Sequence, residues 1–161
     1  MVTVLAARGR PPVGLEAVLA SGVPVGSGLS SSAALEVAIA LALAEVAAWS
    51  LPPVELARAC QEAEHVATGV PCGIMDQLTA LLGRAGRALL VDCRDLAVEP
   101  VPLPETLVAL AVHSGLPRTL AGSAYADRRA ECRDIARRLG LRSLRDATFD
   151  QVAGFPGPAT W

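Results

Sequence analysis

The sequence predicts an α+β domain, because its hydrophobic period changes twice along the chain. The pattern is helical up to about Gly83, β-rich as far as Gly115, and helical again beyond. Apolar residues make up 52% of the 161 positions, enough to bury a sizeable core and to argue against intrinsic disorder. The length fits one domain, or one part of a larger one.

Residues 1–22 are weakly patterned, with "RGRPP" read as a turn. A Gly/Ser loop at 26–31 feeds a strong helix from about Ser31 to Trp49. The next segment, "SLPPVELARACQEAEHVATG", predicts a second helix. Ser50 and two prolines start it, Leu56, Ala59, Cys60 and Ala63 form its apolar stripe, and Gly69 ends it. "VPCG" is a tight connection to a third helix, "IMDQLTALLG", stopped by Gly83. Three strands are expected in "RALLVDC", "LAVEPVPL" and "LVALAVHSG". A long helix with an arginine-rich exposed face follows from about Leu120 to Leu139, closed by Gly140. "SLRDATFDQVAGF" suggests one last short helix, and "PGPATW" is loop-like.

Composition narrows the chemistry. The net charge of −2 gives no bulk attraction to nucleic acid or anionic membrane, and one tyrosine with two each of Phe and Trp leaves little to stack bases on. All fourteen basic residues are arginine. Without lysine there can be no P-loop of the GxxxxGK[ST] type, no Schiff base and no strand lysine of the protein-kinase kind. Phosphate chemistry must then rest on backbone N–H groups, hydroxyls, arginine or a metal. The four cysteines, Cys60, Cys72, Cys93 and Cys132, have no metal-site spacing and read as reduced, mostly buried thiols of a cytosolic protein. "MVTVLAARGR" has no apolar run of signal-peptide length, so a cytoplasmic location is expected.

The stretch "VPVGSGLSSSAALEVAIALALAEV" carries the first functional signal. Its uncharged run between Glu36 and Glu45 is eight residues, against the roughly twenty a membrane span needs. The six-residue Gly/Ser part abuts a helix directly, unlike a flexible linker. A dinucleotide fingerprint would need glycine where Ser31 stands, and a hydrolase GxSxG is absent. Two readings remain open: a serine-capped buried helix, or a phosphate cradle. In the second, Gly26 and Gly28 allow close approach, the first helical turn offers free N–H groups to an anion, and Ser30, Ser31 and Ser32 add hydroxyls able to assist Mg²⁺.

Two acids, Glu64 and Asp76, lie twelve residues apart at the end of one helix and in the first turn of the next. A helix-turn-helix can bring them to one site. The position of Asp76 suits a carboxylate that accepts a hydroxyl proton, and Glu64 could hold a metal. A solvated helix-end charge is the plainer account of either alone. His65 and His113 read as structural. In "SGLPRTLAGSAYADRRAEC", Arg118 is a loop cation able to neutralise phosphate, and Tyr125, the single tyrosine, sits among small neighbours that let its hydroxyl reach a ligand. Arg128 and Arg129 read as a surface or salt-bridge pair.

Taken together, "PVGSGLSSSAALE", "AEH…GVPCGIMDQ…ALLVDCRDL…PVPLP" and "SGLPRTLAGSAYADRRAEC…LGLRSLRD" resemble the galactokinases of the GHMP small-molecule kinase superfamily. The resemblance runs from about Gly14 to Asp146 in matching order. It implies a GHMP-kinase N-terminal-domain-like (ribosomal protein S5 domain 2-like) two-layer core. Residues 1–115 would be the remainder of the ATP-binding N-terminal domain, and 116–161 the beginning of a C-terminal domain. It also implies ATP-dependent phosphorylation of the C1 hydroxyl of galactose to galactose 1-phosphate, with ATP and Mg²⁺ as cofactors. By the same resemblance Gly26, Ser27, Gly28, Leu29, Ser30, Ser31, Ser32 and Ala33 would wrap the nucleotide phosphates, and Ser32 and Glu64 would bind Mg²⁺. Asp76 would be the base, or the anion that orients the sugar hydroxyl. Gly73 and Tyr125 would contact galactose, and Arg118 would approach the transferring phosphoryl group. The absence of lysine fits, since this family cradles phosphate without a P-loop lysine. No nucleic-acid or membrane partner is implied, and a complete enzyme would be a monomer.

Two family elements are missing from the sequence: an R-x-N-x-x-G-E-H-x-D-Y sugar-binding segment and a glycine-rich segment like G-x-R-x-T-G-G-G-F-G-G. The expectation is therefore of the central portion of such an enzyme. A catalytically silent galactose- and ATP-binding sensor, or a non-functional remnant, are the alternatives.

Overall fold

The computed structural model describes residues 1–112, 115 and 124–153. It opens on a helix, α1 (Val2–Ala6), in the segment read as weakly patterned. Five residues are too few for a helix to hold by propensity. Packing makes it: Val4 and Leu5 are buried against Leu56, Ala59 and Cys60. Arg10 just beyond is also buried, with Nε donating to Leu43 O at 2.9 Å and a second guanidinium nitrogen donating to Val13 O.

Three longer helices follow. The second, α2 (Ser31–Val46), is built largely from strong helix formers, with apolar residues on both its buried and its exposed faces. One face buries Ala33, Val37, Ala40, Leu43 and Ala44, while Leu35, Leu41 and Val46 are exposed. Next comes α3 (Pro53–Thr68), with proline at its first position and Gly69 closing it in the left-handed region at φ 69°. Its expected stripe, Leu56, Ala59, Cys60 and Ala63, joins Val4, Leu5, Val37, Ala40 and Leu43 in one core. Then α4 (Met75–Leu82) packs on both α2 and α3. The chain leaves it so tightly that a Cβ on Gly83 would lie 2.6 Å from Thr79 O, which explains that glycine.

The sheet is a hairpin of β1 (Arg87–Val91) and β2 (Val98–Pro102), antiparallel, with Leu89 opposite Pro100. Its connection is shaped by Asp92 and Asp95, whose carboxylates accept from Arg94 N and Ala97 N at 2.9 Å. Val91 and Val98 pack on a second core of Ala57, Ile74, Leu78 and Leu96. The third expected strand is corrected: over 107–112 the chain has no regular element, and Leu107, Val108, Leu110 and Val112 are all exposed. A strand needs a partner for its backbone groups, and among the described residues only β1 and β2 pair.

Residues 1–121 and 122–161 form two compact units. In the second, α5 (Ala124–Arg138) is followed by a turn at Gly140, whose φ of 70° lets Leu141 N donate back to Ala136 O at 2.8 Å. The expected last helix comes as two pieces, a 3₁₀ turn at Leu144–Asp146 and α6 (Phe149–Ala153), separated by extended Ala147. Thr148 and Gln151 restart the helix as a reciprocal capping pair, Thr148 N donating to Gln151 Oε1 at 2.9 Å. No disulfide joins the cysteines among the described residues, and only Cys60 is buried; Cys72 is half-buried and Cys93 and Cys132 are exposed, against the expectation of mostly buried thiols. The expected α+β class is observed. No helix among the described residues is long and apolar enough to cross a membrane.

Candidate active site

The loop before α2 takes left-handed backbone at three alternate positions: Gly26 at φ 71°, Gly28 at 79° and Ser30 at 57°. Glycine adopts such angles freely, whereas serine does so at a cost. Ser30 is the N-cap of α2, yet its side chain makes no capping bond. Among the described residues, the N–H groups of Ser31, Ser32 and Ala33 meet no acceptor. The serine-capped reading of this stretch is thereby set aside. The orphan donors and the positive end of the α2 dipole face the same loop and suit an anion.

An open cleft of about 110 Å³ lies against these groups, lined by Gly26, Gly28, Ser30, Ser31, Ser32, Glu64, Cys72 and Asp76. That is room for a phosphate group and a few waters, at about 30 Å³ per water, and well below the usual 300 Å³ or more of a whole small-molecule pocket. The two acids reach it as the sequence anticipated. Glu64 comes from the last turns of α3, and Asp76 is the second residue of α4.

Glu64 is buried, and both of its carboxylate oxygens accept hydrogen bonds. Its Oε1 accepts from Ser32 Oγ at 2.9 Å, and its Oε2 accepts from Gln77 Nε2 at 2.7 Å and Cys72 Sγ at 3.0 Å. Gln77 also donates to Glu36 Oε2 at 3.1 Å. Burial is the main cause that raises the Glu36 pKa; the Gln77 hydrogen bond opposes it, and the charges of Glu64 and Asp76 add to it. No ion pair among those recorded for the described residues reaches these three acids. His65 is structural, its Nε2 within 3.0 Å of Cys72 O, and so holds the turn that carries Cys72.

The donor set can be tested against Mg²⁺. Among the described residues no three His, Cys, Asp or Glu side chains converge on one point. Ser32 Oγ and Glu64 Oε1 are two hard oxygens side by side on the cleft. Such a pair fits Mg²⁺, which keeps waters and takes its other ligands from phosphate.

Of the residues singled out from sequence, Gly26, Gly28, Ser30, Ser31, Ser32, Glu64 and Asp76 share the cleft. Ser27 turns its hydroxyl to Pro24 O at 2.8 Å, Leu29 is half exposed, and Ala33 is buried beneath the loop. Gly73 is exposed in the turn before α4. Tyr125 lies exposed on α5 in the second unit, and Arg118 and His113 fall outside the described residues. Arg128 pairs with Glu131 at 2.7 Å on the surface, as expected. Sequence reasoning missed Cys72, Gln77 and Glu36. The signal for Glu36 was present, since it is the first charge on a largely apolar helix.

Comparison with known proteins defines the class first. Residues 1–84 match the family described as GHMP kinases N terminal domain, more than half of the chain. The chain belongs to the GHMP kinase family. Within it, galactokinases are among the similar proteins. That of Roseiflexus sp. is 47% identical over 158 residues, covering 95% of this chain and 40% of the relative. That of Canis lupus familiaris is 48% identical over 143 residues, covering 88% and 36%. A crystal structure of Lactococcus lactis galactokinase complexed with galactose superposes with a TM-score of 0.69 at 29% identity, covering 81% of this chain and 35% of that one. The chain thus spans 36% to 40% of the length of these curated relatives.

Proposed function

We propose that this chain carries the phosphate-binding and base-bearing part of a galactokinase, acting in the cytoplasm. One observation carries the reading: unsatisfied N–H groups of α2, Glu64 and Asp76 line a single cleft. On this reading residues 1–115 belong to the ATP-binding N-terminal domain and 116–161 begin the C-terminal one. The loop from Gly26 to Ala33 would receive the ATP phosphates on its N–H groups. Ser32 and Glu64 would hold Mg²⁺, which when bound neutralises phosphate charge.

Asp76 would orient the C1 hydroxyl of galactose and accept its proton. The C1 oxygen bonds to the γ-phosphorus as the bond from that phosphorus to the ADP oxygen breaks, and ADP leaves with the electron pair. Arg118 would meet the transferring group, and Gly73 and Tyr125 would touch the sugar. There is little covalent work for the protein here; positioning and charge stabilisation supply the rate. The small cleft supports a division of labour in which the nucleotide base and the sugar find further walls in segments the longer relatives possess.

The test is galactose-dependent release of ADP from MgATP. Turnover that vanishes in Asp76→Ala supports the proposal. Binding of galactose or ATP without turnover, seen as a raised melting temperature, would replace it with the sensor reading. Neither signal would leave the remnant.

A further inference from the structure

Gln77 is fully enclosed between three helices, and its one amide nitrogen serves two carboxylates: Glu64 Oε2 of α3 at 2.7 Å and Glu36 Oε2 of α2 at 3.1 Å. Its Oε1 meets no donor among the described residues. Turning the amide over would aim that oxygen at two carboxylates, so the donor pair fixes the side chain's orientation. A buried oxygen left without a partner is uncommon, and here it accompanies the holding of two acids.

The consequence is an inequality between the two oxygens of Glu64. Oε2 is held by Gln77 and by Cys72 Sγ at 3.0 Å. Oε1 accepts, among the described residues, from the Ser32 hydroxyl alone, at 2.9 Å. A hydroxyl proton can rotate away with no heavy atom moving, which turns Ser32 Oγ and Glu64 Oε1 into two adjacent lone-pair donors. We propose that Gln77, itself braced by Glu36, is a positioning residue that holds Oε2 inward and presents Oε1 of Glu64 to the divalent cation. The proposal rests on the reading of Glu64 as a cation ligand.

The experiment titrates the 161-residue chain with Mn²⁺ in the presence of a non-hydrolysable ATP analogue, reading bound Mn²⁺ by water-proton relaxation. Gln77→Leu should weaken Mn²⁺ binding about tenfold, the size of effect seen when a ligand's supporting hydrogen bond is removed. Glu36→Ala should also weaken it, and Glu36→Gln, which keeps an acceptor for the Gln77 amide, should weaken it less. Circular dichroism checks that each variant is folded; should Gln77→Leu fail that check, the ordering of the two Glu36 variants decides the matter. Wild-type affinity in Gln77→Leu, or equal losses in Glu36→Ala and Glu36→Gln, would overturn the positioning role. No relaxation enhancement in the wild type would instead remove Glu64 as a ligand, and the proposal with it, so the two failures have different signatures.

Discussion

Replacing Glu36 by glutamine should make the chain more stable, and more so at neutral than at acidic pH. The Glu36 and Glu64 carboxylates accept from one nitrogen at 3.1 and 2.7 Å. Two like charges about 6 Å apart, at an effective dielectric of ~20, repel by about 3 kcal/mol. Glu36 is only half-buried, and solvent screening lowers this to about 1 to 2 kcal/mol. Glutamine keeps the acceptor and removes the charge. The sign with pH follows from the shift, since burial above all, then Glu64 and Asp76, raise the Glu36 pKa from its ordinary 4.5, with the Gln77 hydrogen bond and the Met1 α-amino group opposing. The folded state holds this proton more tightly than the unfolded chain does. Stability from this group is therefore full below pH 4.5 and is lost as pH rises through the folded pKa. Thermal unfolding followed by circular dichroism should show Glu36→Gln melting about 4 °C higher near neutral pH, and together with the wild type in acid. A lower melting temperature, or the same gain at both pH values, would refute the acidic cluster as described.

Further expectations concern the core, the loop, the thiols and the base. Leu78→Ala removes a fully enclosed side chain from the second core and should cost about 2 to 5 kcal/mol in urea unfolding. Gly26→Ala meets nothing within 4 Å, so its cost is the φ of +71° alone. In the free chain the loop should relax away from that angle, and restoring it on binding should cost about 1 to 2 kcal/mol, a roughly tenfold loss of MgATP affinity by calorimetry. Cys60 is buried, with its pKa pushed up to about 11, while Cys93 and Cys132 are exposed. Alkylation at pH 8 followed by mass spectrometry should therefore label Cys93 and Cys132 in the native chain, and Cys60 only after unfolding. Asp76→Ala should abolish galactose-dependent ADP release and leave nucleotide binding in place, because the loop donors of α2 are untouched.

The helices were legible because their signals are local. Gly/Ser before α2, prolines before α3, and glycines after α3, α4 and α5 each mark a terminus within a residue or a few of where it falls. The apolar run at 107–112 misled because β propensity reports a fit to a pleated neighbour, and no strand among the described residues pairs with it. α1 escaped for the opposite reason, since its five residues are helical through contact with α3 rather than through their own preference. At the site, Glu64 and Asp76 could be placed by helix ends. Their linkage through Gln77 could not, because it depends on which face of α4 turns inward and on a glutamate from α2 brought alongside by packing. Nor could sequence tell that Ser30 would take a left-handed conformation and leave the first turn of α2 uncapped.

The central claim is that the uncapped first turn of α2 receives phosphate beside Glu64 and Asp76. Amide resonances of the ¹⁵N-labelled chain, followed as MgATP is added, test it directly. Saturable shifts centred on Ser31, Ser32 and Ala33, retained in Asp76→Ala and weakened in Gly26→Ala, are the predicted result. Shifts confined to the arginine-rich face of α5, with the α2 amides unmoved, would contradict it.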